Sequence, residues 1–116
     1  MYPKEYDRLL GVLERTGPEG VMLVSGDIHW SRVIEHDTED RLGRNLVEII
    51  TSPVHHRVIK AADAPHPGIQ FSKGIVNSFL LVEATTDEAG GSTMTARLRD
   101  AAGTTHHEVV TAPRSP

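Results

Sequence analysis

The sequence predicts an α/β fold, one N-terminal helix followed by a mixed, mostly antiparallel sheet, and three observations carry that prediction. An amphipathic stripe opens the chain, and a short continuous apolar run follows it. Beyond Trp30, apolar residues recur in short β-branched or alternating segments parted by Gly, Pro and Asp. A helix feeding a buried strand is an α/β pattern, and the later segments read as β.

Tyr6, Leu9, Leu10 and Leu13 stand at i, i+3, i+4 and i+7, which places one apolar stripe on a helix over Pro3 to Arg15. Pro3 suits the first helical turn, and Gly17-Pro18 is a stop signal. Val21 to Val24, between Gly20 and Gly26, reads as a short strand covered on both faces. Ser31 to His36 and Leu46 to Thr51 read as strands, joined by a charged turn from Asp37 to Arg44. Ser52-Pro53 ends the second of them. Ala61 to Gly68, with Pro65 and Pro67, reads as loop, and Ile75 to Thr85 as strand. After Gly90-Gly91-Ser92, residues Met94, Ala96 and Leu98 alternate with polar neighbours, the mark of a half-exposed strand. Asp100 to Gly103 is a hairpin connection, Thr105 to Thr111 its return strand, and Ala112 to Pro116 a frayed tail.

With 116 residues, 38% hydrophobic and 24% charged, the chain is globular, one small domain or part of a larger one. A net charge of -4 argues against nucleic-acid binding through bulk electrostatics. No cysteine is present, so neither a disulfide framework nor a thiolate metal site is available. No stretch has the length of a membrane-spanning helix, and Met1 to Arg15 is charged throughout with no signal-peptide core. These features assign no compartment.

One segment carries chemistry: Ser25-Gly26-Asp27-Ile28-His29-Trp30, directly after the buried strand. Ligands gather beyond the carboxyl ends of strands in open α/β sheets, and Gly26 lets the chain turn there. A carboxylate and an imidazole two residues apart suit a pair of ions roughly 3.5–4 Å apart, one ligand to each. Oxygen and nitrogen donors select iron, zinc, manganese or, through Asp27, calcium. Alone, Gly-Asp-x-His is a weak motif, and an aspartate capping a turn with a histidine bonded to it is the favoured reading.

Val21 to Val33 resembles the last metal motif of PhoD-like alkaline phosphatases, a branch of the calcineurin-like metallophosphoesterases, in which the superfamily's Gly-His-x-His becomes Gly-Asp-x-His. The resemblance extends to the helix over Tyr2 to Leu13, to Glu48 through Pro53, and to Leu98 through Gly103 as the closing hairpin. It implies that residues 1–116 are the C-terminal half of a four-layer metallophosphoesterase sandwich. It also implies that Asp27 and His29 are catalytic, metal-ligating residues, Asp27 at the second metal and His29 at the first. The implied activity is two-metal hydrolysis of phosphate mono- or diesters. The implied partners are a phosphate-ester substrate and either the N-terminal half of the domain or a second copy of the chain. Asp27-Ile28-His29 also fits Asp-x-His, the superfamily's first motif, but neither Gly-Asp-x-x-Asp nor Gly-Asn-His followed by Asp or Glu occurs after Trp30. The terminal-motif alignment therefore stands. The competing function is a non-catalytic β-rich binding or assembly module.

Around this motif, Trp30 is expected either at the rim of the site or packed on its loop, and Glu48 and Thr51 either support the loop or only fill strand positions. His55 and His56 follow Thr-Ser-Pro, which the resemblance places near the site, so one of them could reach substrate or a residue behind the ligands; a loop histidine with no metal role is the favoured expectation. His36, His66, His106 and His107 are expected on the surface or at strand edges. The acidic run Glu35 to Asp40 is expected as a solvated turn, since it lacks the spacing and central glycine of an EF-hand.

Overall fold

The computed structural model describes residues 3–17, 21–52 and 55–111. Helix α1 (Pro3–Thr16) buries Leu10 and Leu13 on the expected stripe, with Tyr6 and Leu9 half-buried beside them. Gly17 ends it in the left-handed region, φ 90°, its N–H donating to the Leu13 carbonyl at 2.9 Å. Pro18 and Gly20 fall outside the described residues, as do Pro53 and the tail from Ala112.

The strands form two sheets rather than one. The first holds β1 (Leu23–Ser25), β2 (Ser31–His36), β3 (Leu46–Ile50) and β4 (Ile69–Lys73) in the order β1-β3-β2-β4. Only the β1–β3 pairing is parallel; β2 is antiparallel to both β3 and β4. The second is an antiparallel meander of β5 (Ser78–Thr86), β6 (Ser92–Asp100) and β7 (Thr105–Val110). The fold is thus mixed α/β and mostly antiparallel.

The two sheets pack face to face. Val33 and Ile49 from the first meet Ala96 and Leu98 from the second, with Met22, Val47, Phe71, Leu80 and Val109 around them. The opposite face of the first sheet is covered by helices, since Leu46 packs with Leu10, Leu13 and Leu42. Both faces of the first sheet are therefore apolar over its middle strands, which explains the near-continuous runs in β2 and β3.

Several elements depart from the sequence reading. The charged turn at Asp37 to Arg44 contains a short helix, α2 (Glu39–Leu42), which ends on Gly43 at φ 74° and buries Leu42 against α1. β5 begins at Ser78 rather than Ile75, because a turn at Val76 and Asn77, the latter at φ 51°, precedes it. β4 is an additional strand; Gly68 sits at its start, where an added Cβ would lie 2.0 Å from the Glu35 carbonyl oxygen. β1 is not covered on both faces. It stands at the end of the sheet order, and the second sheet reaches Met22 but leaves Val24 55% exposed.

The four histidines expected on the surface or at strand edges are all half-buried, with His106 and His107 on β7, an edge strand of the second sheet. His36 Nε2 donates to Glu48 at 2.9 Å, and the His66 ring meets His36 edge-on at 5.7 Å. His106 Nε2 donates to Asp100 at 2.8 Å. That bond, with the N–H groups of Thr104 and Ala102, holds the Asp100 carboxyl below its usual range against partial desolvation and ties off the β6–β7 hairpin. His107 stacks on Phe71 at 4.8 Å between the sheets, and burial pushes its pKa down.

The His107 shift sets a pH dependence. The folded state binds fewer protons than the unfolded state between the lowered and the ordinary histidine values, so stability rises with pH in that window. His107 contributes fully above the ordinary value, and its contribution is lost as pH falls through the folded one. The urea midpoint should fall between about pH 7.5 and 5.5, and His107→Phe should flatten that slope. An unchanged slope in His107→Phe would assign the dependence to other groups.

Candidate metal loop at the end of strand β1

Strand β1 ends at Ser25, and the loop from Gly26 to Trp30 leads into β2. Its base is hydrogen-bonded to the end of β3 on both sides. Thr51 N–H donates to the Ser25 carbonyl at 2.9 Å, and His29 N–H donates to Ser52 Oγ at 3.0 Å. Ser31 Oγ in turn donates to the Ser52 carbonyl at 3.1 Å. A Cβ on Gly26 would stand 2.9 Å from the Thr51 carbonyl oxygen, so this crossing of β1 over β3 accepts no side chain.

The loop holds both candidate ligands in the left-handed region, Asp27 at φ 69° and His29 at φ 60°. Aspartate and histidine tolerate that region better than most residues, but it is sparsely populated, and such backbones gather at functional sites. Asp27 is exposed, and among the described residues its carboxylate has no hydrogen-bond partner. His29 is half-buried, and its ring bonds elsewhere than to Asp27: Nδ1 lies 3.0 Å from the Arg57 carbonyl oxygen. A carbonyl only accepts, so Nδ1 carries a proton, and in the neutral ring Nε2 presents its lone pair. The pairing of a capping aspartate with a histidine bonded to it is therefore not the arrangement found here.

This donor set fits a divalent or trivalent cation. A ligating histidine characteristically donates its other ring N–H to a backbone carbonyl or carboxylate, which fixes the tautomer and raises the basicity of the ligating nitrogen. Asp27 supplies an anionic oxygen two residues away. Among the described residues, no group of three or more His, Asp or Glu side chains converges in a metal-holding arrangement. Asp27 and His29 are, among the described residues, the two candidate ligands at this loop.

The residues around the loop divide between support and packing. Glu48 accepts from Ser25 Oγ at 2.7 Å and from His36 Nε2 at 2.9 Å, so it anchors the last residue of β1. Burial alone would raise its pKa, but the two hydrogen bonds outweigh it and hold the carboxyl low. Thr51 braces the loop through its backbone. Trp30 packs on the end of β4: its Nε1 donates to Ser72 Oγ at 2.9 Å, and a Cβ on Gly74 would lie 2.5 Å from its ring.

Compared with known proteins, the chain matches no family model, no curated protein and no solved structure. The functional argument therefore rests on the residues themselves.

Ser52, Arg57 and His55 are the residues at this loop to which spacing gave no role. The His55 ring lies 4.9 Å from the His29 ring, with His56 6.2 Å beyond it. Arg57 acts through its peptide group, which looks the same in every residue, so side-chain chemistry could not signal it. The only sequence signal was position, a loop returning from the end of β3. Arg32, one strand step beyond Ser31, is buried with its guanidinium donating to the Ala64 carbonyl.

Proposed function

We propose that this chain contributes one metal loop to a two-metal phosphoesterase, with Asp27 binding one ion and His29 the other through Nε2. The observation that carries the reading is the His29 ring, held by the Arg57 carbonyl in the tautomer a ligand requires, beside an aspartate with no described partner. Both residues sit on positive-φ backbone that the Ser25–Thr51 and His29–Ser52 bonds hold in place. When bound, a pair of such ions makes water a nucleophile at neutral pH and neutralises charge on the transferring phosphoryl group.

The chain's own residues then have distinct tasks. Asp27 and His29 hold the ions, Glu48 and Thr51 keep the end of β1 in register, and the Arg57 carbonyl keeps the His29 proton on Nδ1. The remaining ligands come from the N-terminal half of the domain or from a second copy of the chain. The metals are among iron, zinc, manganese and calcium, and the substrate is a phosphate mono- or diester.

The parent architecture we propose is the four-layer metallophosphoesterase sandwich. Two packed sheets with a helical layer outside the first correspond to three of its layers. β1 ends the described sheet order with Val24 open, and that is where a further part of the domain would pack. The resemblance of Val21 to Val33 to the PhoD-like motif points the same way.

The first test is the coding sequence upstream of the Met1 codon. In-frame Asp-x-His, Gly-Asp-x-x-Asp and Gly-Asn-His motifs are expected there. An in-frame stop codon directly upstream, with no co-purifying chain that carries those motifs, overturns the catalytic reading in favour of a binding module.

A further inference from the structure

We infer that His55 is a phosphate-binding residue, a hydrogen-bond donor held next to the His29 candidate position by the backbone of Arg57, the residue that also orients His29. The inference rests on the reading of Asp27 and His29 as metal ligands, and it adds a residue that receives the anionic part of the substrate.

Arg57 contacts both rings through its backbone. Its N–H donates to His55 Nδ1 at 3.0 Å, so that nitrogen carries no proton, and a neutral His55 ring has its proton on Nε2. The Arg57 carbonyl accepts from His29 Nδ1 at 3.0 Å, so the His29 proton is on Nδ1. The backbone of one residue, through its N–H and its carbonyl, thus sets opposite tautomers in two rings whose centroids are 4.9 Å apart. His29 presents a lone pair, which suits a cation. His55 presents an N–H, which suits an oxyanion.

The placement of His55 is fixed on its other side as well. Its carbonyl accepts from Asn77 N–H at 2.7 Å, which ties the loop to the turn before β5. The His55 side chain is exposed, and among the described residues its Nε2–H has no hydrogen-bond partner. The unprotonated, negatively charged oxygens of a phosphate accept hydrogen bonds, so a donor at this position suits them. The opposite tautomer would direct a lone pair at the substrate's negative oxygen and repel it.

The test reads the rings directly. In the uniformly 15N-labelled chain, long-range 1H–15N correlations of the imidazoles distinguish the two tautomers. His55 is expected as the Nε2–H form and His29 as the Nδ1–H form; a His55 proton on Nδ1 overturns the inference. Titration with inorganic phosphate should then shift the His55 Nε2 resonance, and an unmoved resonance also overturns it. In variants, His55→Ala should weaken phosphate binding by roughly tenfold, the worth of one good hydrogen bond to a charged group. His55→Gln, whose amide places an N–H near the same position, should retain most of the affinity. Equal loss in both variants would assign His55 to packing and sink the proposal.

A separate readout isolates the underlying reading. Mn2+ added to the chain should broaden the Asp27 and His29 signals in the wild type and in both His55 variants. If Mn2+ leaves these signals sharp while phosphate still shifts His55, the metal assignment fails and the anion site stands. If Mn2+ broadens them and phosphate leaves His55 unmoved, the reverse holds.

Discussion

On the proposed function, Asp27→Ala and His29→Ala are each expected to abolish phosphoester hydrolysis by the complete two-metal enzyme while the chain remains folded. Loss of a residue that merely supports a ligand costs about 10–100-fold in metal affinity or activity, so loss of a ligand should exceed about 100-fold. Stability should respond far less. The Asp27 side chain is exposed and has no described partner, so its removal takes no packing with it. His29→Ala gives up the ring's bond to the Arg57 carbonyl, a net of about 1 kcal/mol.

The backbone supplies a sharper contrast. Asp27 occupies φ 69°, a region where glycine pays no steric penalty. Asp27→Gly should therefore leave the urea midpoint unchanged or raise it by up to about 1 kcal/mol in stability, while hydrolysis is lost as completely as in Asp27→Ala. Opposite signs for stability and activity at one position are the signature of strain kept for function. The measurements are hydrolysis of a chromogenic phosphodiester and urea unfolding followed by circular dichroism. Near-normal hydrolysis in both alanine variants would sink the metal assignment.

How far the sequence disclosed this site depends on which kind of group does the work. As candidates, Asp27 and His29 stand out in the sequence because carboxylate and imidazole are chemically distinctive and their spacing after an apolar run is a recognisable pattern. Their positive φ angles and the His29 tautomer were not legible. Each depends on Ser52 and Arg57, which the fold brings to the loop from more than twenty residues away. A backbone carbonyl has no side-chain identity to read.

The same division runs through the fold. The Tyr6–Leu13 stripe and the Met94–Ala96–Leu98 alternation each reflect a local period, and both gave the right element. In β4, Ile69 and Phe71 are the only apolar residues and both are half-buried, too weak an alternation to set against the Pro65–Gly68 loop before it. The separation into two sheets was not legible either. One sheet or two is decided by which faces meet, as in the stack of Phe71 on His107, and no local pattern encodes that choice.

That meeting of faces makes Leu98 the position where a single truncation should destabilise the chain most. Leu98 is 1% exposed and packs between the sheets with Val33, Ile49 and Ala96. Leu98→Ala removes buried methyl groups and leaves a cavity bounded by β-sheet backbone on both sides, which can collapse only in part. The expected loss is about 2–5 kcal/mol, a large fraction of the roughly 5–15 kcal/mol that a domain of this size has available. Leu98→Met, which nearly conserves volume, should cost less than about 1.5 kcal/mol. Urea unfolding should show the alanine midpoint lowered with its slope unchanged. The two sheets share few other buried side chains, and Ile49 stands just before Thr51 and Ser52, the residues that brace the metal loop. Destabilisation at Leu98 should therefore reach the site as well, seen as faster amide exchange at His29, whose N–H is held by Ser52 Oγ. If Leu98→Ala costs no more than Leu98→Met, the second sheet is not packed on the first as a shared core. The loop then owes its geometry to the first sheet and its helices alone.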